Sequence, residues 1–380
     1  MVQYLDLNGD LRQSSQRFKE SYNPLSSIIQ AGFRAGGVPV SLFDKTEPGF
    51  DSLFGTGQYG NTNLIGGNTK TPTPSVLFQE KNDYIGGAGI VAKHLKSAGA
   101  NVTFTTILGN DDLKDFVIDD LKKSNIKLNT IIDDTRPTTN KNTILSDVYK
   151  LLKVDKVDNQ PISEKNLNKI KFFIRKIKCD AIIFSDFRHG IFNKTSIPEL
   201  IKSIKKGVFK VADSQVATRW GNITDFKNFD LITPNEKEAR FSLADQDSSI
   251  SVLTRELVKL TKFKNLILKL GERGLVSVVN KGLQSKAITL PSFAKKVIDS
   301  TGTGDALLAY STLSLLVTKS LVEASILGSV AAACACENDG NIEVKPEHIT
   351  EKLNTLQTCL LYTSDAADEG LGVDLGGRRI

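Results

Sequence analysis

Between residues 163 and 280 the chain alternates between short apolar runs and longer segments whose apolar residues recur every three or four positions. A short apolar run is typical of a buried strand, and the three-to-four spacing is typical of an amphipathic helix. Strands that alternate with helices predict an α/β fold, a mostly parallel sheet covered on both faces. The predicted strands are 181–184, 208–212, 231–233, 265–270 and 275–279, and the predicted helices are 163–178, 194–206 and 250–262.

The alternation continues on both sides of this region. Gly86 and Gly87 open a predicted helix that ends at Gly99, and helices are also predicted over 111–124, 306–317 and 321–336. Residues 143–154 mix β-branched and polar side chains, which indicates a partly exposed pair of strands rather than core. Further predicted strands are 76–78, 102–108 and 126–132.

The two ends of the chain lack this regularity. We assign residues 1–71 to a poorly defined N-terminal segment, which could hold the remnant of another domain together with a first strand. A Gly-x-Gly-x-x-Gly pattern at 55–60 follows no clear strand and opens no clear helix, so we predict a loop there. Residues 356–380 lose the periodicity and the Lys, Asn and Ile character of the rest, and we predict a disordered, non-native tail.

The composition excludes several classes of protein. The chain is 40% hydrophobic and 24% charged, with a net charge of +6 over 380 residues, which is ordinary for a globular protein. There is no basic block interleaved with aromatics, and the apolar runs are too short to cross a bilayer, so we expect neither a nucleic-acid nor a membrane partner. Four cysteines without zinc or disulfide spacing, and no signal peptide, predict a cytoplasmic protein.

The segment 299–305 (Asp-Ser-Thr-Gly-Thr-Gly-Asp) is the strongest candidate for chemistry. Val297 and Ile298 are expected to end a buried strand before it, and a helix follows it. A glycine turn at a helix N-terminus lets backbone N–H groups converge on an anion. Asp305, in the first helical turn, could take a proton from an attacking hydroxyl. This arrangement predicts phosphoryl transfer to an alcohol, although the helix dipole alone also favours an Asp there.

Four segments, in this order along the chain, resemble motifs of the ribokinase-like (PfkB) carbohydrate kinases. They are the double glycine at 86–87, the Pro-Asn-x-x-Glu at 234–238, the strand and turn at 269–274, and the closing motif at 299–305. The resemblance covers about residues 72–355. It implies a ribokinase-like fold, a doubly wound, mostly parallel sheet with helices on both faces. A small β lid near 76–85 and 143–155 would cover the sugar.

Within that family the chain is most similar to D-glycero-D-manno-heptose 7-phosphate kinases. The likeness lies in 136–141 (Arg-Pro-Thr-Thr-Asn-Lys), 151–155 and 185–190 (Ser-Asp-Phe-Arg-His-Gly). It implies a small-molecule sugar phosphate as the substrate. The implied substrate residues are Gly86, Gly87, Arg136, Lys141, Asp186 and Arg188.

The chain departs from the family pattern at several positions. His189 replaces a lysine, and Asp213-Ser214-Gln215 replaces Asp-Pro-Lys, so two positive charges are missing. Ile90 stands where the family usually has Asn. Thr303 replaces Ala, which matters little because the backbone N–H makes the contact.

The resemblance also implies a role for each remaining candidate. Asp305 would be the base, while N–H groups of Gly302, Thr303 and Gly304 stabilise the transferring phosphoryl group. ATP and Mg²⁺ would be the cofactors, with the metal held partly through water by Asn235 and Glu238. The other implied nucleotide-binding residues are Lys269, Gly271, Gly274 and Thr301.

Plainer explanations exist for several of these residues. Asn235 and Glu238 could simply cap a helix, residues 269–274 could form an ordinary hairpin turn, and Arg136 and Lys141 could be solvated loop charges. A non-catalytic sugar or nucleotide sensor on the same fold is a second functional class, and the intact Asp305 argues against it. A nucleic-acid-binding protein is a third class, which would require strongly salt-dependent DNA binding. If the protein is a kinase, an unphosphorylated hexose or a nucleoside is the alternative substrate. The expected protein partner is a second copy of the chain, in a homodimer formed through the lid.

Overall fold

The computed structural model describes residues 2–6, 56–67, 74–146, 149–215, 223–282 and 285–369. The strands are β1 (Val2–Asp6), β2 (Thr56–Gly67), β3 (Pro74–Asp83), β4 (Asn101–Gly109), β5 (Lys127–Asp133), β6 (Asn140–Ser146), β7 (Tyr149–Lys156), β8 (Ala181–Asp186), β9 (Phe209–Ser214), β10 (Leu231–Ile232), β11 (Asn265–Lys269), β12 (Leu275–Val279) and β13 (Lys286–Leu290). The α-helices are α1 (Ala88–Ser97), α2 (Asp112–Lys123), α3 (Glu164–Lys176), α4 (Ser196–Ser203), α5 (Glu236–Leu243), α6 (Ile250–Thr261), α7 (Thr303–Thr318), α8 (Leu321–Cys336) and α9 (Pro346–Glu369).

Nine of these strands form one mixed sheet, in the order β13-β12-β11-β10-β9-β8-β1-β4-β5. Strands β8 to β11 are parallel, as are β4 and β5. The β11-β12-β13 edge is antiparallel, and β1 is antiparallel to both of its neighbours. The carboxyl ends of β8, β9 and β11 therefore lie at one edge of the sheet, where α/β proteins place their ligands.

Two hydrophobic clusters cover the two faces of this sheet. One contains Val91 of α1, Leu308 of α7 and Leu327 of α8. The other contains Ile170 of α3 and Leu257 of α6. The strands between them, such as β8, are buried along their whole length, which explains why they read as uninterrupted apolar runs. This confirms the α/β fold with helices on both faces.

The remaining four strands form a separate sheet in the order β3-β2-β6-β7, which we call the lid sheet. Strands at 74–83, 140–146 and 149–156 match the lid expected near 76–85 and 143–155. Strand β2, however, was predicted as a loop. Its glycines and asparagines are poor strand formers, but pairing with β3 and β6 on both sides supplies the ladder that its propensity does not.

Two strands lie within the N-terminal segment, residues 1–71. Strand β1 pairs with β4 and β8 inside the main sheet, and β2 belongs to the lid sheet. The sequence analysis expected a first strand in this segment but no strand of the lid. Residues 7–55 lie outside the described part of the chain.

The expected strand ending at Val297 and Ile298 is wrong. Strand β13 ends at Leu290, just before Pro291. Val297 and Ile298 lie beyond it, and each is 52% exposed. The chain between 291 and 300 is irregular, and the Ile298 N–H donates to the carbonyl of Cys336 in α8. The glycine turn is thus entered from a loop anchored on a helix rather than from a strand.

Helix α9 continues into the predicted tail, as far as Glu369. No Pro or Gly interrupts the sequence between Pro346 and Gly370, so nothing local ends the helix. Residues 370–380 lie outside the described part. None of the helices in the described residues is both long enough and apolar enough to span a membrane.

Candidate active site

The predicted anion site falls at the N-terminus of α7. Gly302, which precedes the helix, has φ 76°, and no described side chain caps the helix. The Thr303 N–H makes a long hydrogen bond of 3.4 Å to the Ser300 carbonyl, and an uncapped helix N-terminus of this kind favours an anion. The turn is closely packed, because a methyl group added at Gly302 would lie 2.3 Å from Asn341 Oδ1. Gly302, Thr303 and Gly304 all line one cavity of about 930 Å³.

Asp305 lies in the first turn of α7 and is buried, with 3% of its surface exposed. Burial, together with the negative charges of Asp213 and Glu238, raises its pKa well above the usual value, while the positive charge of Lys269 opposes the shift. A carboxylate with a raised pKa is a stronger base once it is ionised, which suits proton abstraction from a hydroxyl.

Lys269 ends β11 and lies beside this turn. Its Nζ is 3.1 Å from Asp213 Oδ1, and Asp213 Oδ1 also accepts a hydrogen bond of 2.8 Å from Thr233 Oγ1. The pKa of Lys269 is raised although burial lowers it, because Asp213, Glu238 and Asp305 stabilise the ammonium form. A buried lysine therefore remains charged among three carboxylates.

Asn235 and Glu238 form a reciprocal cap at the start of α5. Asn235 Oδ1 accepts from the Glu238 N–H at 2.8 Å, and Glu238 Oε2 accepts from the Asn235 N–H at 2.6 Å. The capping explanation is therefore correct for both residues. Both also line the large cavity. Since each side chain uses one oxygen in the cap, the pair fits a Mg²⁺ ion held through water better than one held by direct ligation. Within the described residues no group of three or more His, Cys, Asp and Glu side chains could hold a metal.

The turn after β11 forms another wall of the large cavity. Gly271 and Gly274 have φ 63° and 84°, and a methyl group on Gly274 would lie 2.0 Å from the Leu290 carbonyl oxygen. A side chain at Gly274 would clash with β13, so the glycine lets the two segments close together. Thr301 is placed differently: its N–H and hydroxyl both donate to Asp299 Oδ1, at 3.1 and 2.8 Å. It holds the turn in shape and is not among the residues that line the cavity.

Four of the six candidate substrate residues line two small cavities, and Lys141 and Arg188 line neither. Gly86 and Gly87 line one of about 50 Å³, Arg136 and Asp186 line one of about 40 Å³, and His189 lines both. Gly87 has φ 55°, and a methyl group there would meet the Phe187 ring at 3.6 Å. The double glycine therefore starts α1 close against the segment that follows β8.

Two of the candidate cations are already paired. Arg136 is bound to the Asp133 carboxylate and to the carbonyls of His189 and Gln160, each at 3.2 Å. Arg188, which has φ 62°, donates from its backbone and guanidinium to the two oxygens of Asp186, at 2.8 and 3.0 Å. Arg136 thus joins three chain segments. It is not the solvated loop charge that the plainer explanation assumed.

Lys141, in β6 of the lid sheet, is the third cation. It is 7% exposed and lies opposite Asp155 of β7, and burial lowers its pKa to about 8. His189 is partly buried, and its pKa is lowered to about 3 by loss of solvent and then by the positive charges of Lys141, Arg136 and Arg188, among others. The three predicted cations therefore converge on one histidine.

Hydrogen bonds join the two sides of the site. The Gln215 N–H donates to the Asp186 carbonyl at 3.0 Å, and Ser214 Oγ donates to Asp186 Oδ2 at 2.9 Å. Gln215 lines the large cavity and Asp186 lines a small one. The ends of β8 and β9 thus place the anion turn and the substrate side next to each other.

The chain as a whole resembles known proteins. The family described as "pfkB family carbohydrate kinase" matches residues 61–348, about three quarters of the chain. The chain belongs to the pfkB family of carbohydrate kinases. The recognition made from the four motifs is confirmed, and so is the assignment as an enzyme.

Curated relatives of this carbohydrate kinase are identical to it at more than a quarter of the aligned positions. It is 26% identical over 322 residues to "Bifunctional protein HldE" of Sulfurimonas denitrificans, covering 82% of this chain and 64% of that protein. It is 29% identical over 291 residues to the Helicobacter pylori (strain Shi470) protein of the same name, covering 75% and 61%. The kinase thus spans somewhat less than two thirds of the length of these relatives.

Solved structures support the fold. Phosphofructokinase-2 from Escherichia coli, in complex with potassium, has a TM-score of 0.66 at 18% identity, covering 80% of this chain and 97% of that one. Ribokinase from Thermotoga maritima has a TM-score of 0.60 at 20% identity, covering 80% and 97%. At these identities the likeness shows the ribokinase-like fold and no more.

Two residues of the kinase's site were missed from the sequence. Asn341 donates to the Ile85 carbonyl and lies against Gly302, and it comes from a loop after α8 that carries no recognisable motif. Asp213 was noticed only as part of a departing motif, although it is the residue that holds Lys269. A buried position at the carboxyl end of a strand is the signal that could have marked Asp213.

Proposed function

We propose that this kinase transfers the γ-phosphoryl group of ATP to a hydroxyl of a sugar that already carries a phosphate, with D-glycero-D-manno-heptose 7-phosphate as the best candidate. The observation that carries the proposal is the buried Asp305 carboxylate in the first turn of α7, whose uncapped start at Gly302, Thr303 and Gly304 lines a cavity of about 930 Å³. This is the arrangement that phosphoryl transfer to an alcohol requires. The proposed reaction and its supply of ATP belong in the cytoplasm.

Each step of the proposed reaction has a group in this chain to perform it. The sugar hydroxyl loses its proton to Asp305, and its oxygen attacks the γ-phosphorus while the bond to the β-phosphate oxygen breaks. N–H groups of Gly302, Thr303 and Gly304 stabilise the charge that develops on the phosphoryl oxygens. Mg²⁺, when bound, neutralises charge on the ATP phosphates. Asn235 and Glu238 would hold it through water.

The nucleotide has room at the start of α7. Gly271 and Gly274 line the cavity, as do Leu275 and Ala333. Small and apolar residues of this kind suit a nucleotide base. Thr301 contributes by fixing the turn through Asp299 rather than by contact with ATP.

The sugar's own phosphate is assigned to the neighbourhood of His189. Lys141, which is 7% exposed in the lid sheet and whose charge acts on His189, is the cation that we propose reaches the phosphate, with Arg136 and Arg188 adding a positive field. His189 Nδ1 lies 2.9 Å from Asn159 Oδ1, and its Nε2 has no partner within the described residues. If Nδ1 carries the proton, Nε2 is an acceptor, which suits a sugar hydroxyl.

We also propose a homodimer through the lid sheet. Strand β3 exposes Leu77 and Phe78, by 56% and 66%, and β7 exposes Leu152 and Val154, by 54% and 48%. Large apolar side chains grouped on one small sheet favour a partner surface. Phe78→Glu should convert a dimer to a monomer in sedimentation equilibrium, and a wild type that sediments as a monomer would contradict the dimer.

The proposed reaction is tested by ADP release over a panel of sugars. The panel pairs heptose 7-phosphate and hexose phosphates with their unphosphorylated parents, and adds a nucleoside, with each product analysed. We expect turnover on phosphorylated sugars with the heptose phosphate preferred. Preference for an unphosphorylated sugar or the nucleoside would move the assignment to that substrate. No ADP release on any member would contradict the proposal.

A further inference from the structure

Lys269 lies close to the first turn of α7. A methyl group added at Gly304, in the first turn of α7, would lie 3.2 Å from Lys269 Nζ and 3.9 Å from its Cδ. The ammonium group therefore lies directly against the glycine turn. The backbone of Lys269 is fixed as well, because its N–H donates to the Pro234 carbonyl at 2.9 Å. Lys269 also lines the large cavity.

Lys269 is a cation surrounded by acidic side chains. The negative charges of Asp213, Glu238 and Asp305 all raise the pKa of Lys269. Its positive charge in turn opposes the rise in the pKa of Asp305. Only Asp213 is bonded to its Nζ in the described residues, at 3.1 Å. An ammonium group has three donors, so it can keep Asp213 and still donate to a ligand.

Gln215 provides an independent observation on the same wall. It follows β9, is 3% exposed and lines the same cavity, and its Oε1 has no partner within the described residues. A buried, unpartnered amide oxygen costs stability unless a ligand satisfies it. Strand β9 thus brings a neutral group to this wall, and β11 brings the cation.

We propose that Lys269 is a catalytic residue that donates to the oxygens of the transferring phosphoryl group, and that Asp213 is the positioning residue that aims it. In this arrangement β11 supplies the positive charge that Gln215 of β9 does not. The inference rests on the proposed phosphoryl transfer. As the sugar oxygen bonds to the γ-phosphorus, the electron pair of the breaking bond passes to ADP, and the Lys269 ammonium stabilises the charge on the oxygens of the transferring phosphoryl group without losing its proton.

The test moves the charge between the two strands. Lys269→Met, Lys269→Arg and the double variant Lys269→Met with Gln215→Lys are compared with wild type, and Lys165→Met, an exposed lysine of α3, is the matched control. We expect Lys269→Met to lower kcat by roughly 10²–10³, as for the loss of one transition-state donor, with a much smaller change in either KM. Lys269→Arg should keep part of the activity, and Gln215→Lys should restore at least a tenth of the lost kcat.

The outcomes separate this inference from the proposed function. Near wild-type kcat in Lys269→Met, on a wild type that is active, would overturn the inference alone. So would a kcat that stays low when Lys is placed at 215 in a double variant that melts like wild type. A loss confined to the KM for ATP would make Lys269 a nucleotide contact and would also overturn it. A wild type inactive on every sugar would instead refute the proposed function, and this inference with it.

Discussion

The side-chain amide of Asn341 donates a hydrogen bond of 3.0 Å to the carbonyl of Ile85, and its oxygen lies against Gly302. One residue thus ties the segment before the double glycine to the anion turn. Asn341 is buried, so the tie is shielded from water. This contact, together with the ends of β8 and β9, holds the side of the site proposed for the sugar against the side proposed for ATP.

This tie makes Gly302 a sensitive position. Gly302→Ala must adopt φ 76° and also push against Asn341 Oδ1, so we expect both a lower melting temperature and a lower kcat. Gly282→Ala is the matched control, since Gly282 has φ 63° with nothing within 4 Å. Backbone strain alone costs about 1–2 kcal/mol. Thermal unfolding should therefore show a clearly larger loss at 302, and equal losses at the two sites would contradict the packing argument.

Arg136→Ala should unfold the protein more easily rather than change its sugar preference. It leaves Asp133, which is 7% exposed, without its cation and leaves the carbonyls of His189 and Gln160 without a donor. Removing one partner of a buried ion pair costs about 3–5 kcal/mol. Urea denaturation measures this loss, with the exposed Arg255→Ala as the control. A stable Arg136→Ala that has lost only its preference for phosphorylated sugars would make Arg136 the phosphate ligand instead.

Lys141 should give the KM for the sugar phosphate a characteristic pH dependence. Its pKa is lowered to about 8, so it is charged at pH 7 and loses its charge as the pH rises through about 8. We expect the KM to rise by roughly tenfold between pH 7 and pH 9.5, in line with the loss of one hydrogen bond from a charged group. Initial rates with the phosphorylated sugar and its parent measure this.

Lys141→Arg is the control for that prediction, because a guanidinium group stays charged throughout this range. The rise in KM should disappear in this variant. The same rise in Lys141→Arg, or with the unphosphorylated parent, would show that some other group titrates.

Glu238→Gln tests the proposed metal site. Glutamine at this position can still complete the cap with Asn235, so the fold should be kept while the negative charge is lost. We expect the Mg²⁺ concentration for half-maximal activity to rise by roughly tenfold or more. Glu236→Gln, one residue after Asn235 in the same helix, is the control. An unchanged Mg²⁺ requirement in Glu238→Gln would leave this residue with capping as its role.

The sequence predicted those parts of the fold whose signal is local. The periodicity of α6 and the apolar run of β8 depend on burial of the element itself, and both were found within a residue or two of their bounds. Strand β2 could not be found this way, because its order comes from partners more than 70 residues away in β6. The strand expected before Asp299 failed for the opposite reason, since Val297 and Ile298 are apolar but exposed.

The candidate site also contains parts that a local sequence pattern predicts and parts that depend on distant residues. The anion turn around Gly302 and the cap of Asn235 with Glu238 are encoded by neighbouring residues, and both were predicted. The pairing of Arg136 with Asp133 and with two distant carbonyls depends on how three segments meet. The sequence analysis therefore predicted that the charge of Arg136 is available to bind the substrate. The link between Asp213 and Lys269 spans two strands separated by β10, which no local pattern reports.

The measurement that tests the central claim most directly compares wild type with Asp305→Asn. The change keeps the shape of this buried side chain but removes its ability to accept a proton. With the sugar phosphate identified by the panel, kcat should fall by roughly 10²–10⁴, the usual contribution of a positioned base. ATP binding by calorimetry and the melting temperature should hold or improve, because a buried carboxylate near two others is removed. Turnover close to wild type in Asp305→Asn would contradict the account.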